Sequence, residues 1–190
     1  FNGYLDLVGV DRVDAAAALR TYSAEGETFM RDDTHWSPRG ARAVADAIGR
    51  RLSGANIDYV KVETTPLDRV QFDGDLLSFI PTGPFRDYVG PAQQTIQRFE
   101  TKVEANGGLF GDAAIEVALV GTSYSAKADW HFEGFLKQAI NADVLNMSLE
   151  GQGPFAPMDA FLASDVLKNA PPKIVIWEIP VRYTSKDMNP

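Results

Sequence analysis

Residues 115–126 read Ile115-Glu116-Val117-Ala118-Leu119-Val120-Gly121-Thr122-Ser123-Tyr124-Ser125-Ala126. A short apolar run closed by a glycine is the pattern of a strand buried on both faces. Gly121-Thr122-Ser123 then makes a tight turn, and Ala126–Ile140 has the length and pattern of a helix. Strand, turn and helix in that order form the unit of a parallel sheet, because parallel neighbours need a crossover between them. The unit repeats downstream: Asp143–Met147 and Ile174–Ile179 read as strands, with a helix over Met158–Leu167 between them. The expected fold is therefore α/β, a mainly parallel sheet flanked by helices on both faces. Ligands of such sheets sit beyond the carboxyl ends of the strands, so the residues just after each strand are the ones to inspect.

Upstream of this block, Ser37-Pro38 opens a helix, with serine as N-cap and proline at the first helical position. Ala41, Val44, Ala45, Ile48 and Leu52 form its apolar stripe, and Gly54 stops it. Tyr4–Val8, Thr28–Arg31, Ile57–Val62 and Thr95–Val103 read as strands. Residues 66–91 are broken by Pro81, Gly83, Pro84, Gly90 and Pro91 and are too long for a plain connector. They are expected to form an inserted cap or an irregular segment on a single domain spanning residues 1–190.

The composition narrows the function. The 190 residues are 45% hydrophobic and 23% charged, which is ordinary globular usage, and about 150 residues is typical of one domain. A net charge of −8 argues against an electrostatic nucleic-acid binder. The absence of cysteine removes thiol nucleophiles, disulfides and thiolate metal sites. No apolar run approaches the roughly 20 residues of a membrane span. A chain beginning at Phe1 is read as processed or as a fragment, so an upstream export signal is compatible with it.

Four clusters carry chemistry. In Asp33-Thr34-His35-Trp36 the first and third side chains point the same way along an extended backbone, so Asp33 can orient the His35 imidazole. A helix-capping aspartate beside a surface histidine, or a metal site, are the other readings. With two histidines in the chain and no H-x-x-x-H spacing, no metal is expected. In Gly121-Thr122-Ser123-Tyr124, Ser123 falls at a helix start, where free N–H groups suit a nucleophile whose attack generates an oxyanion; a plain serine cap has the same pattern. In Asn146-Met147-Ser148-Leu149-Glu150-Gly151, Gly151 allows close backbone approach and can offer its N–H, or it is a simple turn glycine. After the last strand, Arg182 and Tyr183 are candidate side-chain donors at the sheet edge, or else a surface arginine and a packed tyrosine. Trp36, Tyr124, Trp130 and Tyr183 neighbour these motifs and are candidates to line a substrate cleft, with core packing favoured for Trp130.

Taken together the motifs resemble the SGNH hydrolase superfamily, and more closely the alginate O-acetyltransferase family (AlgJ/AlgX-like). Gly121-Thr122-Ser123 matches the block that usually reads G-D-S, with Ser123 as nucleophile. Asn146–Gly151 matches the block whose glycine lines the oxyanion hole. Asp33-Thr34-His35-Trp36-Ser37 matches the Asp-x-His signature, and its place before the serine is the circularly permuted order of the alginate acetylation proteins. Ile176–Tyr183 is similar to their final strand and loop. The G-x-N-D block of ordinary SGNH enzymes is absent, and Arg182 stands where its asparagine would be. The resemblance implies an SGNH-like three-layer sandwich with catalytic Ser123, His35 and Asp33, and with Gly151, Arg182, Tyr183 and Tyr124 around the oxyanion and substrate.

The resemblance also implies a periplasmic, cofactor-free O-acetyltransferase that moves acetyl groups through an acetyl-serine onto hydroxyls of an exopolysaccharide, alginate first. Its partners would be that anionic polysaccharide, a membrane-embedded acyltransferase that delivers acetyl, and other exopolysaccharide assembly proteins, with no nucleic acid. The alternatives are a carbohydrate acetylesterase, in which water replaces the sugar hydroxyl, and a non-catalytic scaffold of an exopolysaccharide assembly.

Overall fold

The computed structural model describes residues 2–104 and 115–184. Its centre is a parallel three-stranded sheet in the order β4-β3-β5, with β3 at Val117–Val120, β4 at Val144–Asn146 and β5 at Ile174–Trp177. Val117 pairs with Val144 on one side and with Ile174 on the other. All four β3 residues are fully buried. Alternation sends Val117 and Leu119 to one face and Ala118 and Val120 to the other.

Helices cover both faces. Val117 and Leu119 meet α3 (Pro38–Arg51) through Ala41, Val44, Ala45 and Ile48, and α6 (Phe132–Ile140) through Phe132, Phe135 and Leu136. Ala118 and Val120 meet Phe161 of α7 (Phe155–Ala163), with Val166 and Leu167 of α8 (Val166–Asn169) beside it. The predicted cap on α3 is present: Ser37 Oγ accepts the Gly40 N–H at 3.2 Å and Pro38 opens the helix. Upstream, α1 (Asn2–Leu7) is followed by α2 (Ala15–Ser23), which packs on α3. An antiparallel pair, β1 (Lys61–Phe72) with β2 (Gln94–Glu104), leans on α6 through Phe99 and Phe135, ring centroids 4.9 Å apart. Two short elements complete the layout: α4 (Arg86–Val89), before β2, and α5 (Ser123–Ala126), directly after β3.

Several local expectations are corrected. Tyr4–Val8 lies largely in α1 instead of a strand; Tyr4 and Leu7, both exposed, have i,i+3 helical spacing that a five-residue window cannot tell from alternation. Thr28–Arg31 contributes one isolated bridge, Phe29 to Trp36, and no strand. Of Ile57–Val62, the strand takes only the end and then runs on to Phe72, so the first part of the expected cap is sheet. Pro66 is tolerated because the register shifts between it and Arg69 on a two-stranded ribbon. The helix expected over Ala126–Ile140 is broken: Lys127 is extended, Ala128–Trp130 forms a 3₁₀ turn and His131 is left-handed at φ 53°. The helix over Met158–Leu167 begins earlier and is interrupted at the extended Ser164.

Candidate active site

The three parallel strands end together, and backbone bonds tie their ends. Met147 N–H donates to Leu119 C=O at 2.8 Å, Leu149 N–H to Gly121 C=O at 3.1 Å, and Glu178 N–H to Val120 C=O at 2.8 Å. Ser123 is the first residue of α5, so its N–H has no acceptor within the helix. Thr122 caps that helix in an extended conformation. Its N–H and hydroxyl donate to Glu178 Oε2 at 2.8 and 2.9 Å, and Ser125 Oγ donates to the same oxygen at 3.2 Å. A Cβ on Gly121 would lie 2.6 Å from that oxygen, which leaves room only for glycine. Burial pushes the Glu178 carboxyl up, against the bonds from Thr122 and Ser125.

The base side is a loop between the Phe29–Trp36 bridge partners. His35 Nδ1 lies 2.6 Å from Asp33 Oδ1, and His35 Nε2 lies 2.6 Å from Ser123 Oγ. Asp33 Oδ1 also accepts the His35 N–H at 2.9 Å, as expected of residues two apart in an extended turn. Asp33 can only accept while ionised, which places the proton on Nδ1 and leaves Nε2 to accept from the serine hydroxyl. The imidazole is held flat. Trp130 stacks on it with centroids 5.2 Å apart and 21° between planes, and Tyr124 tilts over it at 4.7 Å. Burial works against the Asp33 charge, but the N–H of Asp75 and the ring and N–H of His35 outweigh it and hold the carboxyl below its ordinary value.

The other sequence candidates fall around this line. Tyr124 sits beside the serine, yet its hydroxyl is spent on Thr34 C=O, so it offers the site a ring face. The Arg182 guanidinium lies 5.5 Å from the Tyr124 ring centroid and 5.6 Å from that of Tyr183. Gly151 occupies an exposed turn at φ +72°, with nothing within 4 Å of where its Cβ would be; it does not touch the serine. Tyr183 packs beside Gly153. Trp36 and Trp130 are buried, and Trp36 Nε1 donates to Tyr124 C=O at 3.1 Å, so both belong to the core. Two residues escaped the sequence reading, Glu178 and Asp75. Glu178 stood in a quoted motif, and its burial at a strand end was the missing clue. Asp75, beside Asp33 and Thr34, comes from the segment read as a cap. Asp33, His35 and Asp75 are near enough to share a metal ion. Their facing atoms are instead engaged with Ser123, Thr34 and one another, which describes a hydrogen-bonded relay.

The chain as a whole has known relatives. The family model described as "SGNH hydrolase-like domain, acetyltransferase AlgX" matches residues 1–181. The chain belongs to that family. A relative in Pseudomonas syringae pv. tomato, "Probable alginate O-acetylase AlgJ", is 38% identical over 194 residues, covering 96% of this chain and 49% of its own. One of the same description in Pseudomonas putida is 40% identical over 178 residues, covering 90% of this chain and 46% of its own. The chain thus spans about half the length of these curated relatives. Among solved structures, the O-acetyltransferase domain of Pseudomonas putida AlgJ superposes with a TM-score of 0.87 at 36% identity, over 99% of this chain and 66% of that one. Pseudomonas aeruginosa AlgX gives 0.74 at 26% identity, over 92% and 40%. The SGNH-like α/β fold expected from the motif order is therefore the fold of this chain. Its parallel part is narrower than expected, with β1 and β2 forming a separate antiparallel pair.

Proposed function

We propose that this domain transfers acetyl groups through an acetyl-Ser123 intermediate onto hydroxyls of a secreted polysaccharide, alginate in the first instance. The observation that carries the reading is the unbroken line Asp33 Oδ1, His35, Ser123 Oγ, with both links at 2.6 Å. That is hydrogen-bond reach for a base and its nucleophile, with the base oriented by a third group. His35 Nε2 takes the Ser123 proton while Oγ bonds to the carbonyl carbon of an acetyl ester. The ester C–O bond then breaks and the departing alcohol takes the proton from His35. A sugar hydroxyl repeats the sequence in reverse: its proton goes to His35, its oxygen bonds to the acetyl carbon, and the bond to Oγ breaks with return of the proton. Ser123 N–H, free of any acceptor within its helix, and Arg182, beside the Tyr124 ring, are the donors for the transient oxyanion.

An anionic substrate is supported by a groove of about 570 Å³ bordering the base loop, where Arg31, Arg39, Arg42 and Arg69 outnumber the one lining carboxylate, Glu27, in a chain of net charge −8; Arg31 and Arg39 are paired with Glu27 and Glu25. Locally the surface is basic where the protein as a whole is acidic. Among the described residues no helix is long and apolar enough to cross a membrane. In this reading the domain works in the periplasm, beside other polysaccharide assembly proteins, and receives acetyl from a membrane-embedded acyltransferase.

The test is incubation with a chromogenic acetyl ester and mannuronate oligomers, with products followed by mass. Acetylated oligomer and an acetyl-Ser123 adduct are the expected results. Ester turnover with acetate alone as product would make the domain an esterase. No turnover and no adduct would remove the enzymatic reading.

A further inference from the structure

Asp75 meets the candidate base from behind. Its Oδ1 accepts the Thr34 N–H at 2.8 Å and its Oδ2 accepts the Thr34 hydroxyl at 2.5 Å. The same Oδ2 stands 3.7 Å from His35 Nδ1, and the Asp75 N–H donates to Asp33 Oδ2 at 2.8 Å. One residue therefore touches all three members of Asp33-Thr34-His35. The approach is tightly built: Leu76 N–H donates to Asp32 C=O at 3.1 Å, and a Cβ on Gly74 would lie 1.9 Å from that carbonyl oxygen. Asp75 opens a 3₁₀ turn, Asp75–Phe79, with no buried residue, and Leu76 and Phe79 are exposed. Apolar burial does not account for the docking of this turn. Its polar contacts with the base loop do.

We propose that Asp75 is a positioning residue of the candidate triad, pinning the Asp33–His35 loop and setting a second carboxylate on the Nδ1 side of the imidazole. The proposal rests on the acyl-transfer reading given above. Asp33 Oδ1 serves both the ring and the N–H of His35, and Asp75 N–H anchors the other oxygen, Oδ2, so the carboxylate is held at both ends. When His35 takes the serine proton, the new positive charge lies beside Asp33 and near Asp75. Oriented charges of this kind lower the barrier because they are in place before the reaction. The other groups against the ring are uncharged: Thr34 Oγ1 at 3.4 Å from Nδ1, Ser123 Oγ at Nε2, and the rings of Trp130 and Tyr124; Arg182 stacks near Tyr124, one ring removed.

The decisive variant is Asp75→Asn, which keeps an acceptor for Thr34 N–H, removes the charge and turns an NH₂ toward Thr34 Oγ1 and His35. Two readouts apply: single-turnover formation of acetyl-Ser123 from a small acetyl ester across pH, and the downfield Nδ1–H proton resonance of His35. Acetylation should slow by about 10- to 100-fold, the scale of a small misplacement of reacting groups. The rising limb of the pH profile should move toward acid, because an imidazolium loses a negative charge 3.7 Å from Nδ1. The Nδ1–H resonance should shift. Asp75→Glu should leave the limb in place while recovering part of the rate. Gly74→Ala should reproduce the slowing with a cooperative thermal transition retained. An unchanged rate overturns the proposal, and so does a slower rate with limb and resonance both unmoved. If the wild-type protein forms no acetyl-serine, the acyl-transfer reading fails by itself. The resonance then decides alone, and identical spectra for wild type and Asp75→Asn overturn the role of Asp75.

Discussion

The serine and the histidine reach the same point by different means. Ser123 follows β3, a strand with no exposed residue, and its turn is bolted to the end of the neighbouring β5 through Glu178. His35 rides on a loop with one backbone bridge behind it, fixed by ring packing and by Asp75 from a turn that buries nothing. A nucleophile placed by a close-packed sheet has little freedom to lose. A base placed by a handful of polar contacts can be loosened by removing any one of them. Variants on the two sides should therefore behave differently, save at the point where they meet.

That meeting point gives the largest expected effect. Ser123→Ala and His35→Ala should each lower acetyl transfer on the order of 10⁴-fold or more, because one removes the atom acylated and the other leaves it protonated. The double variant should be hardly worse than either, since groups acting as one unit are not additive. Transfer and adduct formation measured on folded protein check this. A double variant that loses the product of the two single effects would mean the halves work separately.

On the base side alone, Asp33→Asn should cost as much as His35→Ala or somewhat less, because it spoils the tautomer while leaving the imidazole. Asp32→Asn is the control one residue away. Its Oδ1 is buried without a partner and burial pushes its carboxyl up, and it makes no contact with the ring. Activity should stay within a few-fold of wild type. A large loss at Asp32 with none at Asp33 would shift the orienting role by one residue.

The same contrast explains what could be read from the sequence. The sheet edge was legible because burial on both faces leaves an unbroken apolar run, Val117–Val120, and a glycine must follow where Glu178 closes in. Asp33, His35 and the capped helix after them were legible because the contacts that mark them, Asp33 to His35 and Ser37 to Gly40, are local. Asp75 was not. It acts 42 positions from Asp33 through its backbone N–H, and any residue but proline carries that group. The break at Lys127–His131 was missed because a helical pattern runs through it, while Trp130 turns inward to stack on His35. Local periodicity records burial, and it does not record which distant partner fills a gap.

Tyr124 stitches the two sides together, and its effect should be intermediate. Its hydroxyl donates to Thr34 C=O on the base loop, while its own C=O accepts from Trp36 Nε1 at 3.1 Å. Burial pushes the phenol up, so it remains a protonated donor at any working pH. Tyr124→Phe keeps the ring over His35 and deletes the tie. A loss of about 1 kcal/mol of stability, the usual net worth of one such bond, should accompany a slowing of about 10-fold or less. Denaturant unfolding and ester kinetics measure both. A rate unchanged beside a clear stability loss would show that the base loop holds its place without the nucleophile helix.

The smallest expected effect separates the two sides by pH. Burial raises the Glu178 carboxyl and the bonds from Thr122 and Ser125 only partly offset it. A group raised in the folded state contributes stability that is full below its unfolded value, about pH 4.3 for glutamate, and is lost as pH rises through the folded one. At neutral pH the protein therefore carries the cost of a buried charge at the nucleophile turn. Glu178→Gln keeps an amide oxygen for the Thr122 donors and removes that charge, so its thermal transition should lie slightly above wild type at pH 7. The gap should close as pH falls toward 4. Asp33, held below its ordinary value, has the opposite sign: its contribution is present above about pH 3.9 and is lost as acid protonates it. Asp33→Asn should thus be most destabilised at neutral pH and approach wild type only in acid. Thermal transitions of the three proteins from pH 2 to 8 test the pair of signs. A Glu178→Gln protein equally destabilised across that range would show that geometry, and not charge, is what Glu178 supplies to the serine turn.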